Sequence, residues 1–148
     1  MIKFTLLVWL LMFYHPSLDL AYIRSNYKVA VSDKDACEGM ITELKKDNLN
    51  NVGLAYLGGF QAIWAHHTFN PITKLSTFNR GKANINKAIL TDKNNIETRF
   101  IRLSIQKNCP RFLGYYKNIR EDEAYLRKHV DGVSDRDLKN MIKSILKK

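Results

Sequence analysis

The sequence predicts an all-α fold of stacked antiparallel helical hairpins, about seven helices after an apolar leader. Apolar residues recur at three- and four-residue steps through most of the chain, the period of an amphipathic helix. The breaks between these stretches are short and polar, which favours antiparallel neighbours. Three prolines and seven glycines in 148 residues are few for a many-stranded β protein. The length suits one domain with a real core. Apolar and charged fractions of 45% and 26% are globular, not disordered.

The leader, "MIKFTLLVWLLMFYHPS", has one charge, Lys3, then eleven residues from Phe4 to Tyr14 in which only Thr5 is polar. A membrane-spanning helix needs about 20 apolar residues. A basic start, a short apolar run and a break at His15-Pro16-Ser17 describe a secretory signal peptide. Residues 1–17 are therefore expected to be removed, leaving residues 18–148 as a single helical domain. Ser17 and Ala21 are small, but His15 and Asp19 stand where a second small residue would precede them. No cysteine follows the run, which argues against a lipoprotein signal. The other reading is a buried first helix in a cytoplasmic protein.

The remaining elements follow in order. Ser17 or Asp19 caps a helix with the stripe Leu20, Ile23, Tyr27 and Ala30 or Val31. Ser32 with Asp35 resembles a capping box for the next, whose stripe is Ala36 or Cys37, Met40 and Leu44, with Ile41 beside it. "KKDNLNN" ends it. Val52, Ala55/Tyr56, Gly59/Phe60 and Ile63/Trp64 then form one apolar face. Gly58-Gly59 inside that helix costs about 1 kcal/mol per glycine relative to alanine, and the expected compensation is close approach of a neighbouring helix backbone. Asn70-Pro71 starts a helix whose side Ile72, Leu75, Phe78, Ile85, Ala88 and Ile89 runs to the polar joint "TDKNN". Beyond it, Ile96, Phe100 and Leu103 make one stripe and Ile101 and Ile105 a second, so this helix is expected to be central. Asn108-Cys109-Pro110 stops it, and "RFLGYY" is a turn or short helix. Asn118 and Glu121 mark a helix to about His129. Ser134 and Asp137 cap the last, with the stripe Leu138, Met141/Ile142 and Ile145/Leu146.

Within this pattern, "LAYLGG" (54–59) resembles the leucine-glycine signature in the first helix of a tetratricopeptide repeat. "NINKAILTDKNNIETRF" (84–100) resembles the second helix and exit of that repeat: Ala88, Asp92 and Asn94 or Asn95 match, and Lys93 stands where proline is usual. The helices starting near Asn51 and Asn95 are about 44 residues apart, longer than the 34-residue period. The extra length falls at "HHTFNPITKLST" (66–77), between the paired helices. The resemblance covers one degenerate repeat, residues 52–95, and elsewhere only the architecture. It implies a hairpin stack with a groove and a binding or scaffold role, without catalysis.

Charge adds a direction. The net charge is +10, and residues 48–119 hold ten basic and two acidic side chains, against six of each in residues 1–47. On the helix after the joint, Arg99, Arg102 and Gln106 share a face, and paired guanidiniums can clamp carboxylates or phosphates. In repeats of this type the first helix of each pair commonly lines the concave surface, so Gln61 is expected to face the same groove. The competing reading pairs Arg99 with a nearby acid and leaves Arg102 solvated or packed on aromatics.

No constellation of enzymatic groups stands out. His66 and His67 point about 100° apart on a helix and do not converge on a metal ion; they fit a helix end. No cofactor and no metal is expected. Cys37 and Cys109 make one disulfide connectivity if the chain is exported. Glu121-Asp122-Glu123 fits a first helical turn, where acids favour the dipole. The leading expectation is thus an exported noncatalytic helical-repeat module, periplasmic or secreted. Its basic centre would recognise an acidic peptide, a protein partner or an anionic envelope surface. A nucleic-acid-binding protein is the alternative if the chain stays in the cytoplasm, although no nucleic-acid motif is present. An enzyme ranks last.

Overall fold

The computed structural model describes residues 18–46 and 48–148, so the leader, residues 1–17, lies outside the described residues. Seven α-helices run through them: α1 (Leu20–Val29), α2 (Lys34–Leu44), α3 (Asn51–His67), α4 (Pro71–Thr91), α5 (Ile96–Asn108), α6 (Ile119–His129) and α7 (Arg136–Lys147). Two 3-10 turns, Arg111–Leu113 and Val130–Gly132, flank α6. No strand occurs among the described residues, and the fold is all-α.

Local chemistry sets each start. Asp19, Asp33, Asn50, Asn70, Asn95 and Asp135 each accept a hydrogen bond from a backbone N–H of the first turn that follows. Such a cap satisfies a donor the helix itself leaves unpaired. Two starts differ from the sequence reading. Asp33, not Ser32, caps α2, because the Ser32 hydroxyl turns back to the Val29 carbonyl. Asp135, not Ser134, caps α7.

The centre is α3. Ala55, Tyr56 and Phe60 are fully buried, and burial extends round the helix to Leu57, Gly58, Gln61 and Ala62. It packs along α4 and also against α1, α2 and α5. The α3–α4 pair is antiparallel, since Gly58 faces Gly81 and Ile85 while Ala62 also faces Gly81. A Cβ at Gly58 would stand 2.6 Å from the Gly81 carbonyl oxygen, and one at Gly81 would press on the Gly58 carbonyl oxygen in turn. The expected backbone approach is therefore at Gly58, and Gly81 is its unforeseen half. Gly59 instead faces the Tyr27 ring, 2.8 Å from its notional Cβ. Tyr27 meets Tyr56 and Phe60 edge-on at 5.3 and 5.4 Å between ring centroids, a favoured aromatic arrangement.

Residues 66–77 are mostly helical: His66 and His67 end α3, three residues, 68–70, join it to α4, and residues 71–77 are the opening turns of that 21-residue helix. Those turns outrun their neighbours. Phe78, Ile85, Ala88 and Ile89 are buried as expected, but Ile72 and Leu75 are exposed, because no element covers them among the described residues. Farther along, α5 packs against α3, α4, α6 and α7 and buries Phe100, Leu103, Ile101 and Ile105 of its two apolar stripes, with Ile96 half-buried at its start.

Candidate functional site

Arg99, Arg102, Gln106 and Gln61, the residues expected to line a groove, are all buried, with 8%, 7%, 3% and 3% exposure. The first three do share a face of α5, and that face does clamp a carboxylate. The carboxylate is the protein's own. Arg102 donates from Nε and NH2 to the two oxygens of Asp122 at 2.6 and 2.7 Å. Arg99 NH1 donates to Asp122 at 2.9 Å and to Glu121 at 2.8 Å. Its Nε donates to the Lys93 carbonyl in the joint, and its guanidinium lies over the Tyr125 ring. Gln106 donates to Asn118, and its Oε1 meets no partner among the described residues. Gln61 accepts from Asn84 of α4 and is tied to its hairpin mate. These four residues hold α5 to α6 and α3 to α4; the structure corrects their placement in a partner groove.

Electrostatics follow from this pairing. Hydrogen bonding from Arg99 holds the Glu121 carboxyl below its ordinary value. Burial works against the charge on Arg102, but its bonds and attraction to Asp122 prevail and raise its pKa. A second network was not foreseen. Arg24 of α1 donates from Nε and NH2 to both Glu97 oxygens at 2.8 Å, and from NH1 to Asp135 at 2.8 Å. Tyr56 adds a 2.7 Å hydrogen bond to Glu97. Bonding to Glu97 raises the Arg24 pKa, and burial raises that of Tyr56. Asp122 and Glu97 both sit in first helical turns, so their acids are visible in the sequence as dipole partners; their distant arginines are not.

A groove does exist, at the other end of α5. It encloses about 710 Å³. Tyr27 and Val31 at the end of α1 and Ile63 near the end of α3 form one side. Leu75 and Phe78 of α4, Ile105 of α5 and Phe112 in the 3-10 turn form the other. Its volume and apolar walls are those of a ligand or peptide pocket. Its polar lining includes His66, Lys74 and Lys148, with no Asp or Glu among the described residues. The missing acids reflect the sequence: none occurs in residues 48–91 or 98–120.

Of the other marked residues, His66 and Cys109 line this groove. His67 pairs through Nε2 with the Ala30 carbonyl at 2.7 Å. No group of His, Cys, Asp and Glu suited to a metal ion occurs among the described residues. Both thiols are free in the structure, so the one connectivity open to an exported chain is not formed there. Cys37 contacts the Phe60 carbonyl, and burial pushes it up to about 12. Cys109 lines the groove near the Gln106 and Tyr115 carbonyls, its pKa raised by burial. No helix among the described residues is long and apolar enough to cross a membrane. Compared with known proteins, the chain matches no family model, no curated protein and no solved structure.

Proposed function

We propose that this chain is an exported, noncatalytic helical-repeat module that holds an acidic, amphipathic peptide segment of a partner protein in the groove between α1, α3, α4 and α5. The observation that carries the reading is the groove's makeup: apolar walls, with Lys74, Lys148 and His66 among its polar lining and no acidic side chain among the described ones. An amphipathic helix lays its apolar face in such a groove and leaves its charges at the rim. The resemblance to a tetratricopeptide hairpin at residues 54–59 and 84–100 supports the same role. The apolar run Phe4–Tyr14 behind Lys3 supports export.

The test is fluorescence anisotropy with two labelled helical peptides sharing one apolar face, one bearing glutamates and the other lysines opposite it. The acidic peptide is expected to bind, and Leu75→Glu in the groove wall to abolish that binding. Equal binding of both peptides, or of neither, would overturn the reading. Export is tested separately by the intact mass of the chain in fractions of its native host. A mass short by the leader outside the cytoplasm supports export. A full-length cytoplasmic chain removes export and returns nucleic acid as a partner to test.

A further inference from the structure

Three large apolar side chains stand almost wholly in solvent near the groove mouth: Phe69 at 98% exposure, Phe112 at 87% and Ile72 at 81%. Phe112 lines the groove, and Phe69 and Ile72 stand either side of Asn70 and Pro71, of which Pro71 lines it too; exposed apolar groups that share one site mark an interaction surface. These come from two separate segments: Phe69 from the link between α3 and α4 and Ile72 from the first turn of α4, and Phe112 from the turn after α5. Both are fixed. The Thr68 hydroxyl donates to the Trp64 carbonyl, and Asn70 accepts from Ile72 and Thr73, so Phe69 and Ile72 project from a closed, capped corner. Phe112 lies in a 3-10 turn closed by Gly114, whose φ of 69° is the left-handed conformation glycine tolerates. The Arg111 guanidinium lies over the Tyr116 ring beside it.

Phe69 and Ile72 do not line the groove, so a peptide held there leaves them uncovered. A rigid protein partner needs a matching hollow for each tip, whereas a fluid acyl layer takes separate tips without one. Charge selects the kind of layer. Lys74, Arg111 and Lys148 are exposed; Lys74 and Lys148 line the groove together with Phe112, and Arg111 directly precedes Phe112 in the chain. Aromatic and aliphatic tips that share a site with cations suit the boundary of an anionic bilayer: apolar groups enter the headgroup region and cations meet lipid phosphates. We infer that this corner docks onto an anionic lipid surface by inserting Phe69, Ile72 and Phe112, with Lys74, Arg111 and Lys148 against the headgroups. The inference goes beyond the groove reading and does not need a peptide in the groove.

The test is cosedimentation of the full chain with vesicles of phosphatidylcholine alone or mixed with phosphatidylglycerol. Residues 1–17 are the same in every variant, so differences report on the tips. Wild type should bind the mixed vesicles about tenfold or more tightly than the neutral ones, with the difference shrinking as salt is added. Phe69→Ser with Ile72→Ser should weaken vesicle binding about tenfold and leave acidic-peptide binding unchanged. Lys74→Gln, Arg111→Gln and Lys148→Gln should each weaken it about fivefold at low salt. All five positions are exposed, so an unchanged melting temperature is expected and verifies folding. Equal binding to both vesicle types, or vesicle binding that survives the Phe69/Ile72 pair, overturns the inference. So does a lipid-free dimer that the pair converts to monomer, since a second copy would then cover the tips. Peptide binding without vesicle binding overturns it and leaves the groove reading intact, while vesicle binding without peptide binding does the reverse.

Discussion

Arg102 and Asp122 meet in two hydrogen bonds, 2.6 and 2.7 Å, and the carboxylate has no exposed surface. Arg99 shares that carboxylate. A buried charge stripped of its partner is strongly unfavourable. Asp122→Ala leaves two guanidiniums on α5 without it and is expected to cost about 3–5 kcal/mol in urea unfolding. A loss below about 1 kcal/mol, the scale of a surface ion pair, would mean that solvent reaches the pair.

The glycines divide by what surrounds them. Gly81→Ala drives a methyl into the Gly58 carbonyl, a backbone atom with little room to yield. It should cost about 1–3 kcal/mol. Gly39, inside α2, has nothing within 4 Å of a notional Cβ. Gly39→Ala should therefore add about 0.5–1 kcal/mol through helix propensity and a less free unfolded chain. Thermal melts of the two variants should move in opposite directions, and a shift of the same sign in both would contradict the packing described for α3 and α4.

Acid should weaken the α5–α6 contact. The pKa of Glu121 is lowered in the folded chain from an ordinary 4.5. The unfolded chain thus takes up the proton first, so the stabilisation is present above about pH 4.5 and is lost as pH falls through the folded value. Melting temperature measured against pH should drop in that acid range, and Glu121→Gln should flatten part of the drop. An unaltered slope in the variant would place the acid sensitivity elsewhere.

The two thiols should separate by rate. Cys37 is wholly buried and its pKa is pushed up to about 12, so almost no thiolate is present near neutral pH. Cys109 is half-buried on the groove wall. With a disulfide-exchange reagent at mildly alkaline pH, one thiol should react in the native protein and two after denaturation. Mass mapping should place the native label on Cys109. Rapid labelling of Cys37 without denaturant would show that α2 opens readily from α3.

Much of the fold is written locally. Asn70-Pro71, the joint after Thr91 and the break at Cys109-Pro110 bound their helices because capping and stopping depend on a few adjacent atoms. The central α3 is readable as an apolar face, but not how far its burial extends round the helix, which depends on how many neighbours surround it. Period alone put Ile72 and Leu75 on the buried side; their exposure follows from α4 extending past its neighbours, a tertiary fact. The Arg99–Arg102 stripe is readable as a face able to clamp a carboxylate, and the sequence reading assigned it to a partner. It could not say that Asp122, twenty residues beyond Arg102, would occupy it. The groove is assembled from the ends of helices far apart in sequence, and no single segment announces it.

Arg24 ties Glu97 to Asp135, residues 73 and 111 positions away. In a simple linear repeat array each unit touches only the next, and unfolding can creep inward from either end. Here α1 is joined to the cap of α7, so the two should fray together. Synthesis feels the same tie. A growing chain can pair Arg24 with Glu97 midway, yet its second carboxylate does not exist until residue 135 has been made. The helix made early in the described chain is thus completed by one made late, and the final lock on the fold waits for the ribosome to pass the start of α7.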